Sequence, residues 1–386
     1  MVKKAASFVL ASLGTSTYRK TYVSVSRSLR PPAGAARVSA RAGWAGEKAA
    51  FLTILERVLA RNASVLVLMV GVWSIADAAD WSTIAESRFL YTDNVFELSA
   101  ARRLSLGEDP SQPTIVPANK PSDVVWEPSV DVRRTSTSSL GTTEFSAKAH
   151  GFVYTDHSIF NHGNYRLQLK QHLSSDTSVL LRYRYIPNLF LGPNIERRSG
   201  NRLIEEERVT SHIWRVQAEH RLTDAWTVTG VARYGLRLFN EVFAQRDTTF
   251  WTVGPQAAWR TSYGPVVTLA YLYERGLADG RHEPQFRDDV SYYQQFTSLD
   301  VAIPMGRQWS LDLAYAFRRK TFTNGIAGDS NRGVEDSTHQ GTAELRYQVT
   351  DAARLTLGFQ RSQRSSTAAA RDFFNTNTSL GLQYRF

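Results

Sequence analysis

The sequence predicts an all-β fold, a closed antiparallel transmembrane β-barrel of about fourteen strands, with twelve or sixteen as alternatives. Three observations support this prediction. The chain ends on a long segment of alternating apolar and polar residues, residues 80–386 repeat segments of this kind, and the connections between the segments alternate between short and long. Alternation with period two places successive side chains on opposite faces of a strand, and repeated segments of about ten residues are typical of membrane-spanning barrels.

The final segment shows the alternation most clearly. Its apolar face holds, from the C-terminus backwards, Phe386, Tyr384, Leu382, Leu380, Thr378, Thr376 and Phe374. The opposite face is polar, from Arg385 back to Asn375. A strand of a soluble sandwich can alternate in this way, but it rarely runs so long. The segment resembles the C-terminal strand of bacterial outer-membrane barrels. This resemblance implies that Tyr384 and Phe386 belong to the signal recognised by the barrel assembly machinery.

The basic character of the chain belongs to its N-terminal part. The formal net charge is +10, and residues 1–78 account for +8 of it, with eleven Lys and Arg residues against three acidic ones. The rest of the chain is close to neutral, which argues for targeting and against nucleic-acid binding. The absence of Cys excludes a disulfide framework and a thiolate metal site.

A secretory signal peptide is predicted at residues 57–78. Arg57 and Arg61 precede the uncharged run 62–76, and the sequence from Ala76 to Ala78 offers a small-residue cleavage site. The alternative is a transmembrane helix, but a membrane span needs about 20 apolar residues, which this run does not reach.

These features divide the chain into three parts. Residues 1–56 show no sustained periodicity and are interpreted as a disordered leader or an over-extended start of the reading frame. Residues 57–78 are the signal peptide, and residues 79–386 form the predicted barrel.

Fourteen strand segments are predicted after residue 80. They lie at residues 83–96, 124–135, 143–154, 164–173, 177–189, 208–222, 225–239, 248–261, 265–275, 292–303, 308–322, 340–349, 353–362 and 372–386. The short connections are 174–176, 223–224, 262–264, 304–307 and 350–352, and the longer, charged connections are 97–123, 192–207, 276–291 and 323–339. Outer-membrane barrels have short periplasmic turns and long extracellular loops. With the C-terminus in the periplasm, every short turn falls on that side, and an even strand number places the N-terminus there too.

Aromatic residues support a membrane location. Trp226, Trp259 and Trp309 lie on the apolar face beside predicted periplasmic turns, at the level of Tyr384 and Phe386. Rings at the lipid–water boundary form the girdle that such barrels carry. If these Trp residues filled a sandwich core instead, they would be spread along the strands. The sequence therefore predicts contact with lipid of the bacterial outer membrane, reached by export through the periplasm.

The inward face carries sixteen basic and seven acidic residues. Its candidate pore-lining residues are Arg166, Lys170, Arg182, Arg184, Arg215, Arg233, Arg237, Arg260, Arg318 and Arg346. Unpaired buried charges are costly, so we expect a lumen that holds water and not a packed core. Beside Arg182 and Arg184, Glu219 is the one inward acid expected on an adjoining strand. Two interpretations stay open: the charges pair and stiffen the wall, or their excess of base favours anionic solutes.

Motifs for catalysis, cofactors or metals are absent from the sequence. The eight His residues show no zinc-binding spacing. His157 and His162 share one predicted loop, where two His residues are more often solvated than metal-bound. Ser211 and His212 are adjacent within a strand, so their side chains point to opposite faces. We therefore predict no enzymatic activity, no cofactor and no metal site.

Over residues 80–386 the chain resembles bacterial outer-membrane barrels, and Tyr91–Phe96 and Asn188–Arg198 resemble the porin-2-like families of β-barrel porins. This resemblance implies an outer-membrane channel for passive passage of small hydrophilic solutes, and it carries over no site residues. The alternatives are a barrel for polysaccharide or solute export, an uptake receptor and, less favoured, an outer-membrane hydrolase. A filled structural barrel is disfavoured, because only about eight strands leave the interior filled by side chains.

Overall fold

A computed structural model describes residues 81–97, 121–139, 141–368 and 371–386, in which the chain forms one closed antiparallel barrel of fourteen strands. The strands are β1 (Trp81–Thr92), β2 (Asp123–Ser138), β3 (Gly141–Tyr154), β4 (His162–His172), β5 (Thr177–Ile195), β6 (Ile204–Arg221), β7 (Trp226–Phe239), β8 (Thr248–Arg260), β9 (Val266–Ala278), β10 (Tyr292–Met305), β11 (Trp309–Phe322), β12 (Glu335–Gln348), β13 (Ala353–Ser366) and β14 (Phe373–Arg385). This confirms the predicted fold class. The predicted leader and signal peptide, residues 1–78, lie outside the described residues.

The barrel closes between its first and last strands. Phe89 of β1 lies opposite Leu380 of β14 in an antiparallel ladder, and every other strand pairs with its neighbours in sequence. Closure leaves no open edge, so the backbone N–H and C=O groups find partners within the sheet. Because the strand number is even, β1 begins at the end of the barrel where β14 finishes.

Short turns and longer connections lie at opposite ends of the barrel, as predicted. At one end, which we call the turn side, the connections are two to five residues long; at the other, the loop side, they are six to thirty residues long. The described loop-side connections contain the short 3-10 helices Ser158–Phe160, Glu241–Arg246, Asp279–His282 and Pro284–Phe286. None of the helices in the described ranges is long and apolar enough to cross a membrane.

The longest hairpin extends further than predicted. β5 continues to Ile195 where an end at Leu189 was expected, and β6 begins at Ile204 where a start at Arg208 was expected. Half of the predicted loop 192–207 is therefore a two-stranded ribbon on the loop side.

Other boundaries also differ from the prediction. β12 begins at Glu335, five residues before the predicted start, and β1 ends at Thr92, four residues before the predicted end. Beyond the lipid a strand needs no apolar face, because both of its sides meet polar groups. Ladder pairing can therefore continue there without the alternation that marks a strand in the sequence.

Side-chain exposure shows which face of the sheet is outside. In β14, Phe374, Leu380 and Leu382 are 50%, 48% and 50% exposed, whereas Asn375 and Asn377 between them are 0% and 2% exposed. The apolar face is therefore the outer one and the polar face lines the lumen, as in membrane-spanning barrels.

Aromatic side chains form a band at each end of the outer face. On the turn side, Trp226 stacks on Trp259 at 6.0 Å between ring centroids, and Trp309 lies 4.5 Å from Tyr347. The loop-side band includes Tyr165, Tyr183, Tyr185, Trp214, Tyr234, Trp251, Tyr273, Tyr293 and Tyr315. Eight residues separate Trp226 from Tyr234 on β7, which is about 20 Å along the axis for a strand tilted by about 40°. The predicted Trp positions at the turn side agree with this arrangement.

Candidate functional site: the lumen

All ten predicted pore-lining residues lie on the inner face, since each alternates along its strand with outward-facing neighbours. The structure separates them by height. Arg237 and Arg318 are 6% and 0% exposed within the loop-side half, whereas Arg260 is exposed at the turn side. The remaining seven lie between these levels.

Six cations form one continuous set on β3 to β7, which we call the basic patch. Its members are Lys148, Arg166, Arg184, Arg182, Arg215 and Arg233. One row runs across β3, β4 and β5, where Lys148 is paired with Arg166 and Arg166 with Arg184. The other row runs across β5, β6 and β7, where Arg182 is paired with Arg215 and Arg215 with Arg233. Neighbouring strands are about 4.8 Å apart, so each row places three cations within about 10 Å along the wall.

Acidic and amide groups hold the edges of the basic patch. Arg166 Nη2 donates to Asp131 Oδ2 at 3.0 Å. Arg182 donates through Nε and Nη2 to Gln168 Oε1 at 3.0 and 2.8 Å. In the ladder, Arg215 has Arg182 on one side and Arg233 on the other, so no acid occupies a position paired with it. The centre of the patch therefore keeps a positive potential.

Glu219 was the one inward acid expected on a strand adjoining Arg182 and Arg184, and acids on strands further away also reach this region. Glu219 binds Lys170, with 3.3 Å between Oε1 and Nζ. Glu144 on β3 also lies opposite Lys170, and Asp131 reaches Arg166 from β2, two strands away. A long Arg side chain spans more than one strand spacing, so a prediction that considers only adjoining strands misses such partners.

The loop-side half of the lumen is packed around Glu274, which is 1% exposed. Its Oε1 accepts hydrogen bonds from the Tyr292 hydroxyl at 2.6 Å, from Gln294 at 3.0 Å and from Arg237 at 3.5 Å, and its Oε2 accepts one from Thr252 at 2.6 Å. The expected water-filled lumen is therefore wrong for this half. Burial is tolerated because the carboxylate is fully hydrogen-bonded and faces a cation.

Aromatic rings fill the space around this network. The Arg237 guanidinium lies 3.9 Å from the centroid of Phe250. A Cβ at Gly235 would lie 2.2 Å from the Phe250 ring, and one at Gly276 would lie 2.4 Å from the Tyr292 ring. The two glycines thus leave room for rings to lie flat on the inner wall, which sets the position of Arg237.

Above this layer, loop segments cover the barrel. We call residues 240–247, 279–291 and 323–334 the loop-side cap. Arg246, 8% exposed, donates to Asp288 through Nε and Nη2 at 2.7 and 2.8 Å, and through Nη1 to Glu207 at 2.7 Å. Burial alone would raise the pKa of Asp288, but the charge and hydrogen bonds of Arg246 outweigh it and hold that pKa below its ordinary value.

Further contacts join the loop-side connections to one another. Arg197, after β5, donates to the carbonyl of Arg287 and, at 3.2 Å, to the hydroxyl of Ser330. Arg371, before β14, donates to Asn331 at 2.7 Å. These bonds join the connections after β5, β9, β11 and β13 to one another across the loop side.

A separate charge network lies across the β1–β14 seam. Arg88 donates to Glu86 at 2.9 Å on its own strand and to Glu344 on β12 at 2.9 Å. It passes over Gly381 and beside Gly358, whose missing side chains leave room for it. Arg346, one of the predicted pore-lining residues, also binds Glu344. Sequence reasoning missed Arg88, because its β1 segment shows the least regular alternation.

The turn side of the lumen is open to solvent by comparison. A cavity of about 250 Å³ opens there, lined by Gln348, Asp351, Ala352, Arg354, Gln383 and Arg385. The inner wall therefore runs from an open turn-side entrance, past the basic patch, to a loop side where the described connections pack against one another.

The His residues considered for chemistry have separate structural contacts. His157 Nδ1 lies 2.9 Å from Asp123 Oδ2, whereas the His162 ring stacks on Phe152 at 4.3 Å. Ser211 is 1% exposed on the inner face, and His212 lies on the outer face with Nδ1 2.8 Å from the Tyr183 hydroxyl. Among the described residues, no group of three or more His, Asp or Glu side chains could hold a metal ion.

Comparison with known proteins gives weak structural similarities. No family model matches the chain, and no curated protein matches it. OmpTdeltaL8, a loop-deletion mutant of an outer membrane protein of Vibrio cholerae, has a TM-score of 0.43 at 7% identity, covering 80% of this chain and 98% of its own. An anion-selective porin from Comamonas acidovorans has a TM-score of 0.41 at 8% identity, and the match covers 79% of this chain and 98% of the porin. A FadL homologue from Pseudomonas aeruginosa has a TM-score of 0.39 at 6% identity, and the match covers 80% of this chain and 90% of the homologue. Similarities at this level carry no argument about function.

Proposed function

We propose that this chain is a bacterial outer-membrane channel that passes small hydrophilic anions and that its loop-side cap must open before solutes cross. The apolar outer face between two aromatic bands supports a membrane location. Seven longer connections on one side and short turns on the other support an extracellular loop side and a periplasmic turn side.

The basic patch is the observation that carries the proposed selectivity. Two rows of three cations face the lumen on neighbouring strands, and the paired positions beside Arg215 are both arginine. A charged wall of low dielectric concentrates counter-ions near it, so anions are favoured over cations in the water beside this patch.

A second candidate function is favoured by the packed loop-side half. Glu274, Arg237 and Arg246 are buried and hydrogen-bonded, which fits a barrel that stays closed until a specific solute or partner opens it. Such an uptake or export barrel would show no conductance until its ligand is added. We further infer that the chain is not an enzyme, because Ser211 and His212 point to opposite sides of the wall.

The test is single-channel recording of the purified full chain in planar bilayers under a KCl gradient. We expect openings whose reversal potential shows preference for chloride. The Debye length falls from about 10 Å at 0.1 M salt to about 3 Å at 1 M, so the preference should weaken strongly at 1 M.

Variants locate the source of the preference. Arg182→Gln combined with Arg215→Gln should lower the chloride preference without closing the channel. The matched control is Arg134→Gln, which removes an exposed cation from the outer face of β2 and should leave the reversal potential unchanged. Equal selectivity in the double variant and the wild type would refute the assignment to the basic patch. If no conductance is seen until a solute is added, the result would favour the second candidate function.

A further inference from the structure

Four basic side chains lie together on the outer face near the loop side. Arg275 on β9, Arg319 on β11, His339 on β12 and Arg361 on β13 are all exposed. Each lies within five residues of the loop-side end of its strand. On the turn-side flank of this group the same outer face is apolar, as at Leu357, which is 53% exposed. Beyond Arg361, Phe374 on β14 is 50% exposed, and the Arg361 guanidinium lies 6.0 Å from its ring centroid. The four groups therefore lie close to the loop-side end of the apolar band.

An acid balances one of the cations in this sector. Glu335 binds Arg319 through both carboxylate oxygens, at 2.7 and 2.8 Å. Within the described part of the chain, neither Arg275 nor Arg361 forms an ion pair with an acidic side chain. Near the membrane interface an outward Arg costs only about 0–1 kcal/mol, so Arg275 and Arg361 can stay charged there and meet an anionic headgroup.

A depression in the wall lies among these groups. Gly341 on β12 sits in the ladder between Tyr315 on β11 and Arg361 on β13. A Cβ at Gly341 would have no atom within 4 Å, so the position is open. The Tyr315 hydroxyl lies 2.6 Å from Nδ1 of His339, so a further partner of this ring must bind at Nε2. We call Gly341, Tyr315, His339 and Arg361 the glycine notch.

We propose that the glycine notch, together with Arg275, binds the phosphate groups of an anionic lipid in the outer leaflet. The planar guanidinium matches phosphate with two parallel hydrogen bonds. The hydrogen-bonded Tyr315–His339 pair adds one further donor, which is Nε2–H when the Tyr315 hydroxyl donates to Nδ1. The acyl chains of such a lipid would pack on the apolar wall beside the notch. From β9 to β13 the cations span about 19 Å of wall, enough for more than one phosphate group.

A lipid fits this surface better than a protein partner does. The cations form a band at the headgroup level, and the wall beneath them is apolar, which matches an amphiphile with an anionic head. The inference rests on the membrane location given under the proposed function, but not on channel activity. It is therefore tested by binding, with conductance measured separately on the same preparations.

The experiment is a titration of the purified full chain with diphosphorylated lipid A, followed by native mass spectrometry. We expect the wild type to bind lipid A in preference to phosphatidylcholine. Arg275→Gln and Arg361→Gln should each weaken binding about fivefold, the effect typical of one basic residue at a membrane surface. Gly341→Leu fills the notch without changing charge and should weaken binding at least as much.

Controls separate this site from general charge effects. Arg134→Gln removes an outward cation near the turn side and should bind lipid A like the wild type. Heat-modified mobility on gels shows whether each variant is folded. The proposal is overturned if Arg134→Gln weakens binding as much as Arg361→Gln, if Gly341→Leu has no effect, or if inorganic phosphate displaces the lipid. It is also overturned if lipid A does not bind and the wild type dimerises through this face while Gly341→Leu does not. A chain that fails to float with vesicles would instead refute the membrane location.

Discussion

Replacing Arg246 with Met should release the loop-side cap while leaving the barrel folded. Arg246 is 8% exposed and joins Asp288 of the cap to Glu207 on β6. The side chain of Met has a similar length but supplies neither charge nor donors. Both carboxylates, 1% and 5% exposed, would then be buried without the cation that binds them.

The size of the effect follows from this burial. Removing one partner of a buried ion pair costs about 3–5 kcal/mol, which corresponds to about a 100- to 4,000-fold shift toward the open cap. The matched control is Arg208→Gln. Arg208 binds Glu206 at 2.9 Å, but that pair is exposed, and exposed pairs are worth about 1 kcal/mol or less.

Hydrogen–deuterium exchange of residues 279–291 in detergent or nanodiscs measures this shift directly. Amides of this segment should exchange faster in Arg246→Met by the factor given above, with strand amides unchanged. Open probability in planar bilayers should rise in parallel if the cap controls passage. Equal exchange in the wild type and Arg246→Met would refute the argument that this ion-pair network holds the cap.

The pH dependence of cap closure should reverse in the same variant. In the wild type the pKa of Asp288 lies below its ordinary value, so its contribution to closure is complete above about pH 4 and is lost as the pH falls through the lowered pKa. Without Arg246, burial should raise the pKa of Asp288, and acidification should favour closure by neutralising the carboxylate. Exchange measured between pH 3 and pH 7 checks both directions.

Two further predictions concern folding and assembly. Gly381→Leu should displace Arg88 from the inner wall and break its bond to Glu344, which should lower the free energy of unfolding by about 3 kcal/mol in urea titrations. The control is Gly230→Leu, at a position with open space around it. Equal losses of stability in the two variants would contradict the role given to Arg88 at the seam. Deleting Phe386 should leave the remaining ladder of β14 intact but slow assembly in cells, seen as chain accumulating in the periplasm; normal outer-membrane levels would argue against Phe386 as part of the assembly signal.

The sequence by itself determined the barrel and the outward face of its strands, because both depend on local periodicity. Period-two alternation assigns each side chain to a face whatever lies on the next strand, so Phe374, Leu380 and Leu382 were placed outward correctly. Connection length is likewise read directly from the sequence, and it sorted the turns from the loops. The ends of β5, β6 and β12 were missed, because pairing beyond the lipid leaves no apolar pattern.

The tertiary structure decided what the inward charges do. Whether Arg166 is balanced depends on Asp131, two strands away, and whether Glu274 is hydrated depends on side chains from β7, β8 and β10. The cap depends on Arg246, Asp288 and Glu207, which come from three separate segments. Coulomb and hydrogen-bond energies depend on distances across the barrel, and those distances follow from strand register and loop path, which local periodicity does not encode.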